Sequence, residues 1–163
     1  MQGIKSMRDG TEIIVVGSDH TGLSLKENII KYILERGLKV IDVGTIHARI
    51  ISFPDITRLL CKEILRKRAH RGVIICESPV GASISANRLR DIRAAVCHDS
   101  HCARRCIEHD NVNVMCIAND VGWRGDIHEL MKAFVDAKFD ASECSSRRVD
   151  NYELLPLTWT DLF

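Results

Sequence analysis

The fold of this chain is decided by residues 12–44, which read EIIVVGSDHTGLSLKENIIKYILERGLKVIDVG. The apolar, β-branched run before Gly17 is typical of a short strand. Gly37 stands where glycine commonly ends a helix, and strand character resumes at residues 40–43. Four apolar residues between the two glycines recur at helical spacing: Leu25, Ile29, Ile33 and Leu34. The segment therefore predicts a strand, a helix and a second strand.

The same alternation continues along the chain. The Ser52–Asp55 capping box predicts a helix that runs to about Arg68. Continuous apolar runs predict three more strands, and helical periodicity predicts three more helices. The strands lie at residues 73–76, 94–97 and 114–117, and the helices near 82–89, 100–108 and 126–137. This order indicates the α/β class, with a five-stranded parallel sheet between two layers of helices.

Length and composition favour a single globular domain. The chain has 163 residues, of which 45% are hydrophobic and 28% charged, enough for one core without disulfides. We interpret residues 1–163 as one domain with a flexible N-terminus at 1–11. The tail at 150–163 is too apolar for a free terminus, and we expect it to pack on a second subunit.

Charge and hydropathy exclude two classes of partner. The net charge of +1 and the aromatic content of 5% argue against nucleic-acid binding. No apolar run approaches the roughly 20 residues that span a bilayer, and none near the start resembles a signal peptide. We therefore expect a cytoplasmic protein. Its seven cysteines, with no C-x-x-C pair, indicate reduced thiols.

The loop after the first strand carries the first candidate site residues. Parallel sheets bind ligands where their strands end, so Asp19 and His20 should stand at the mouth of the sheet. A carboxylate and an imidazole there can orient a hydroxyl and meet an anion. Alternatively, Asp19 caps a helix and His20 is a surface residue. The glycine spacing does not match a dinucleotide-binding fingerprint.

The segment ICESPVGAS, residues 75–83, carries the second candidate. It places the thiol of Cys76 beside backbone N–H groups and the positive end of a helix. That environment favours a thiolate and suits a developing enediolate oxygen. The alternative is a buried structural cysteine, which is the commoner fate of a lone Cys on an apolar strand.

Residues 97–111 hold the densest group of potential metal ligands. Cys102, Cys106 and His109 share one helical face and could ligate zinc. That face must also pack on the sheet, where Cys is a common small core residue. We therefore favour core packing with one functional histidine, and we predict no metal site.

Taken together, these segments resemble the type B ribose-5-phosphate isomerases and the related galactose-6-phosphate isomerase subunits. The similarity extends from about Ile13 to Asp150 and rests on several motifs in the same order along the chain. The motifs are GSDHTGL at 17–23, KE at 26–27, VIDVGT at 40–45, IC at 75–76, GxSxSAN at 81–87, IRAA at 92–95 and EHxxxNV at 108–114.

The resemblance implies a Rossmann-like three-layer sandwich that isomerises aldoses to ketoses through a cis-enediolate without metal or cofactor. Cys76 matches the base that takes the C2 proton. His109 matches the group that opens the furanose ring, assisted by Asp19. Ser78 stands where the family commonly has Thr, whose hydroxyl shuttles protons between O1 and O2. The backbone N–H groups of Gly81, Ala82 and Ser83 match the donors to the enediolate oxygen.

The resemblance also implies how the substrate is held. His20 and Arg148 match phosphate contacts. Asp110 takes the place of a substrate-binding Asn that normally follows the histidine. The family forms homodimers whose active sites lie at the subunit interface, with His109 coming from the neighbouring subunit. Whether the dimers pair further into tetramers is left open.

Several departures from the family pattern affect the candidate site. The loop after the cysteine is usually Gly-Thr-Gly-x-Gly, whereas this chain has Glu77 and Pro79. Glu77 should oppose thiolate formation, and Pro79 removes an N–H. Cys144 and Ser145 replace an Arg and a His that handle phosphate, and Asp120 lies near another Arg position.

Two interpretations of these departures compete. In the first, Arg147, Arg49 or another arginine compensates and the chain interconverts ribose 5-phosphate and ribulose 5-phosphate. In the second, it acts on another sugar phosphate or binds one without turnover. We favour the enzyme, because Cys76, His109, Asp19 and Ser78 form a complete proton-transfer set.

Overall fold

The computed structural model describes residues 11–44, 52–119 and 126–154. The strands are β1 (Ile13–Ser18), β2 (Lys39–Gly44), β3 (Arg71–Cys76), β4 (Ala94–Val96) and β5 (Val114–Ala118). The helices are α1 (Leu23–Glu35), α2 (Phe53–Leu65), α3 (Pro79–Ala86), α4 (Ser100–Asp110), α5 (Ile127–Asp136) and α6 (Glu143–Leu154), and a short 3₁₀ turn at His20–Gly22 precedes α1.

The five strands form one sheet in the order β2-β1-β3-β5-β4, and every pair is parallel. This confirms the predicted α/β class and the five-stranded parallel sheet. Because the strands are parallel, all of them end at the same edge, which we call the carboxyl edge. β1 and β3 are neighbours in the middle of the sheet, so the loops after them lie side by side.

Both faces of the sheet are covered by helices. Ile14 and Val16 point to the layer of α1, α4 and α5, whereas Ile13 and Val15 point to the layer of α2 and α3. Successive residues of a strand face opposite sides, so a strand buried on both sides needs an unbroken apolar run. Burying each of these Ile or Val side chains contributes about 1.5–3 kcal/mol. The three-layer sandwich thus follows directly from the runs in the sequence.

The ends of α1 and α3 refine the sequence prediction. Gly37 has a φ of +73° directly after the cap of α1, which confirms its predicted role. Leu34 was predicted on the core face, but its side chain is 55% exposed because it lies about 100° around the helix from buried Ile33. Helix α3 begins at Pro79, earlier than the predicted start, since proline is well suited to the first helical position.

The C-terminal region contains a helix that periodicity did not predict. Helix α6 packs on α4 and is largely polar, so it has no apolar stripe that would announce it. Residues 150–154 of the predicted tail belong to α6. The rest of the tail, and residues 1–10 of the predicted flexible N-terminus, lie outside the described residues. Within the described ranges, no helix has the length and apolar character that crossing a membrane requires.

Candidate active site

The carboxyl edge brings Asp19 and Cys76 together. Ser18 of β1 is in register with Ile75 of β3, so the residues that follow each of them are adjacent. The N–H of Asp19 donates to the carbonyl of Ile75 over 3.2 Å. The N–H of Glu77 donates to Oδ2 of Asp19 over 3.3 Å. These two bonds tie the loop after β1 to the loop after β3 around the Cys76 thiol.

The Asp19 carboxylate is buried and held in one orientation. Its Oδ1 accepts hydrogen bonds from the N–H of Thr21 over 3.0 Å and from the N–H of Gly22 over 3.2 Å. The Thr21 hydroxyl donates to the same oxygen. Asp19 therefore caps the 3₁₀ turn, as the alternative interpretation predicts, and it also faces the Cys76 loop. Its role in orienting a hydroxyl stays a prediction. His20 lies at the start of the turn and is exposed.

Cys76 ends β3 and is fully buried, on the α2 and α3 side of the sheet. Burial raises the pKa of the thiol to about 11, and the negative charge of Asp19 adds to the rise. The N–H of Ser78, which donates to the sulfur, acts in the opposite direction and lowers the pKa. In the single chain, Cys76 is therefore a neutral thiol at physiological pH.

The sequence analysis assigned the opposing negative charge to Glu77, and the structure corrects this. The carboxylate that raises the pKa of Cys76 is Asp19, and the Glu77 side chain points to solvent. A charge in water is screened strongly, whereas a buried charge is not. The departure from the family pattern at residue 77 thus has little electrostatic effect on the thiol.

The turn after Cys76 leads into α3 through Ser78, which is the residue before its first turn. The N–H of Ala82 donates to the carbonyl of Ser78 over 3.1 Å, so this predicted donor is already used inside the helix. Ser83 lies deeper in α3, and its hydroxyl donates to the carbonyl of Ala94 over 3.1 Å. The first turn of a helix leaves its N–H groups free, and proline has none. Val80 and Gly81 are therefore the residues that can donate to an oxyanion.

The side chains around Gly81 leave no room for a Cβ at this position. A Cβ at this position would stand 2.9 Å from Cζ of Phe53 and 3.1 Å from Oγ of Ser78. Phe53, at the start of α2, thus packs on the turn that carries Ser78. The sequence analysis missed Phe53, because its only local signal is an aromatic residue before the proline of a helix start.

The other predicted site residues form a second cluster on α4 and α6. Oδ1 of Asp110 accepts a hydrogen bond from the Tyr152 hydroxyl over 2.8 Å and pairs with Nη1 of Arg148 over 3.4 Å. Nε2 of the neighbouring His109 is buried and has no hydrogen-bond partner within the described part of the chain. A buried polar atom without a partner is costly, so this imidazole is suited to bind a group from beyond the described residues.

The two clusters lie at opposite ends of the sheet. Cys76 is in register with Ala118 at the end of β5, whereas His109 lies in the last turn of α4, shortly before β5 begins at Val114. Four residues of strand cover about 13 Å. Within one chain, His109, Asp110 and Arg148 are therefore separated from Cys76, Asp19 and Ser78.

The remaining candidates of the sequence analysis are placed as follows. Cys106 packs against Cys97 with 3.8 Å between their sulfurs, and the Cys102 sulfur lies 3.6 Å from the carbonyl of Val96. No group of three His, Cys, Asp or Glu side chains suited to a metal ion occurs among residues 11–44, 52–119 and 126–154. On α6, Cys144 and Arg147 are exposed and Ser145 is buried. Arg49 and Asp120 lie outside the described residues.

Comparison with known proteins identifies the family that shares this fold. Residues 14–152 match the ribose/galactose isomerase family. Over 142 residues the chain is 32% identical to ribose-5-phosphate isomerase B of Escherichia coli, covering 87% of this chain and 93% of that protein. It is also 32% identical over 127 residues to a galactose-6-phosphate isomerase subunit of Clostridium acetobutylicum, covering 78% and 73% respectively. The solved structure of Clostridium thermocellum ribose-5-phosphate isomerase B gives a TM-score of 0.80 at 31% identity, covering 86% of this chain and 95% of that one.

Proposed function

Because the chain belongs to the ribose/galactose isomerase family, we propose that it interconverts ribose 5-phosphate and ribulose 5-phosphate in the cytoplasm. Membership of this family supports sugar-phosphate isomerase activity. The proposal of ribose 5-phosphate as the substrate rests on the similarity to the Escherichia coli enzyme. The observation that carries the proposal is the buried Cys76 thiol beside the Asp19 carboxylate and the first turn of α3.

In this reaction Cys76 removes the proton from C2 of the open-chain aldose and returns it to C1. The electrons of the C2–H bond form the C1–C2 double bond of the enediolate, and its negative charge develops on oxygen. The N–H groups of Val80 and Gly81, at the positive end of α3, are suited to stabilise that charge. The Ser78 hydroxyl, which lies beside Gly81, moves a proton between O1 and O2.

The high pKa of Cys76 means that the thiolate must be generated when substrate binds. A cation that enters the buried site would lower the pKa, because opposite charges attract strongly where water is excluded. Arg148 is the predicted residue that carries such a charge. It lies too far from Cys76 within one chain, so we place it, together with His109, in a second copy.

We therefore propose a homodimer in which each active site combines Cys76, Asp19 and Ser78 of one copy with His109, Asp110 and Arg148 of the other. The exposed apolar side chains of Val80 and Ile84 support this arrangement, since they flank the Cys76 loop and are 59% and 62% exposed in the single chain. In the dimer, His109 opens the furanose ring with help from Asp19, and Arg148 and His20 hold the phosphate.

The experiment is an isomerase assay on purified protein with ribose 5-phosphate. Cys76→Ala should lower kcat by about 10²–10⁴-fold, which is the usual contribution of an acid–base group. Cys61→Ala is the matched control, because Cys61 is equally buried on the same side of the sheet and away from the carboxyl edge. Unchanged turnover in Cys76→Ala would show that Cys76 is not the base.

The replacement of phosphate-binding residues favours a second candidate function. Cys144 is exposed and Ser145 is buried where the family has Arg and His, and Arg148 is paired with Asp110. Weaker binding of the phosphate group of ribose 5-phosphate would favour action on another sugar phosphate, such as galactose 6-phosphate, or binding of a sugar phosphate without turnover. A thermal-shift screen of sugar phosphates beside the activity assay separates these outcomes, since binding of ribose 5-phosphate without turnover would favour the non-catalytic role.

A further inference from the structure

Three thiols that the proposed reaction does not use lie together between α4 and the sheet. The Cys97 sulfur, just after β4, lies 3.8 Å from the sulfur of Cys106 in α4. Both side chains are buried, with 1% and 8% of their surface exposed. Cys102, in the first turn of α4, is half-buried and also contacts Cys97.

The two thiols differ in their surroundings. A hydrogen bond joins their sulfurs, with either able to donate it, and the Cys106 sulfur also lies 3.4 Å from the carbonyl of Ala103. Cys106 is 8% exposed and Cys97 1%, so peroxide reaches the Cys106 sulfur first, and the thiolate is the form that reacts. Cys97 then stands in contact with it as the second sulfur.

The geometry of the pair allows a bond. A disulfide has a length of about 2.05 Å, so the sulfurs must approach by about 1.8 Å. Cys97 lies just after β4, and its N–H donates to the carbonyl of Cys116 in β5 over 3.1 Å, so its backbone is held in place. The sulfurs therefore close the gap by rotation of the two side chains and a small movement of α4. Cys106 lies on the side of α4 that faces the sheet, which directs its sulfur towards Cys97.

We propose that Cys97 and Cys106 form a peroxide-sensitive dithiol that closes to a reversible disulfide. The Cys106 thiolate attacks one oxygen of hydrogen peroxide, the O–O bond breaks, and Cys106 becomes a sulfenic acid while hydroxide leaves. The Cys97 sulfur then attacks the Cys106 sulfur, forms the S–S bond and displaces water. The two sulfurs lose two electrons in all, and the peroxide gains them.

The position of the pair connects it to the proposed active site. Cys106 precedes His109 by three residues, about one turn of the same helix. A disulfide would tie that helix to the end of β4 and restrain the residue that is proposed to reach the partner's Cys76. This consequence rests on the proposed function, whereas formation of the disulfide does not.

The test measures the disulfide in a Cys76→Ser variant, which removes the proposed catalytic thiol. Treatment with hydrogen peroxide should consume two thiols, lower the intact mass by about two units and yield one linked peptide pair containing Cys97 and Cys106. Dithiothreitol should restore both thiols. If a serine variant does not fold, the Cys97–Cys106 disulfide can be sought by mapping the same peptides in the peroxide-treated wild-type chain. Peptides that show Cys97 and Cys106 still reduced would overturn the proposal.

Further variants identify the pair. Cys97→Ser and Cys106→Ser should each abolish the linked peptide, whereas Cys61→Ser and Cys102→Ser should retain it. A linked peptide that requires Cys102 would overturn the assignment, because the half-buried thiol would then be a partner in the bond. None of these readouts depends on isomerase activity, so they stand or fall separately from the proposed function.

Discussion

Two variants that are each inactive should restore activity when their subunits are mixed. Cys76→Ala removes the proposed base at the carboxyl edge, and His109→Ala removes the proposed acid at the other end of the sheet. In a two-fold symmetric dimer of one copy of each, one site carries both substitutions. The other site combines the intact Cys76 of one copy with the intact His109 of the other, so it is active.

The magnitude follows from the geometry. If subunits pair at random from equal amounts, half of the dimers are mixed and each has one intact site of two. The unseparated mixture should therefore reach about a quarter of the wild-type kcat, and the purified mixed dimer about half. If His109 and Cys76 acted within one chain, every site would lack one of them and no activity would return.

The assay co-expresses the two variants with different tags, purifies the mixed dimer and follows the formation of ribulose 5-phosphate. Cys76→Ala mixed with Ser78→Ala is the matched negative control. Both substitutions lie in the same half of the proposed site, so no intact site forms. Failure of the first pair to recover activity, while its mixed dimer is isolated intact, would refute a site shared between subunits.

Three further predictions test the environment of Cys76 and the packing around it. The Asp19 charge raises the pKa of Cys76, so Asp19→Asn should move the rise of kcat/KM with pH to lower pH than in the wild type. A profile that stays in place or moves to higher pH would contradict this. Gly81→Ala should lower kcat/KM about 10–100-fold, because its Cβ meets Phe53 and Ser78. Phe53→Leu should recover part of the loss, whereas Leu65→Ala, exposed at the other end of α2, should be neutral. The absence of any recovery would show that Phe53 does not position the turn. Burial raises the pKa of Cys61 from 9.0 to about 12, so the thiol ionises at lower pH in the unfolded chain than in the folded one. Its contribution to the free energy of unfolding is complete below pH 9 and falls by about 1.4 kcal/mol per pH unit up to pH 12. In denaturant titrations, the free energy of unfolding of Cys61→Ala should fall less steeply with pH than that of the wild type, and equal slopes would refute the buried-thiol assignment.

Much of the fold could be predicted from the sequence, because it is encoded locally. Val73, Ile74 and Ile75 are all apolar since each face of their strand is covered, and this continuous pattern is readable without any knowledge of neighbours. Gly37 announces the end of α1 because its positive φ suits glycine. The loops that carry Asp19 and Cys76 could likewise be placed together, since parallel strands end at one edge.

The second half of the site could not be placed in this way. Asp110 and Arg148 were both assigned to the substrate by resemblance, yet their mutual ion pair and the hydrogen bond from Tyr152 depend on how α6 packs on α4. Helix α6 is largely polar and carries no apolar period, so neither the helix nor its contacts can be read from its residues.

The sequence alone therefore determined the sheet and the carboxyl edge, and it supplied the candidate residues for proton transfer. Only the tertiary structure decided that Cys76 and His109 of one chain lie at opposite ends of the sheet. It also decided that Phe53 packs on the Ser78 turn and that Cys97 contacts Cys106. The physical reason is that local periodicity specifies which face of an element is buried, whereas distances between segments far apart in the chain are set by strand order, register and helix packing.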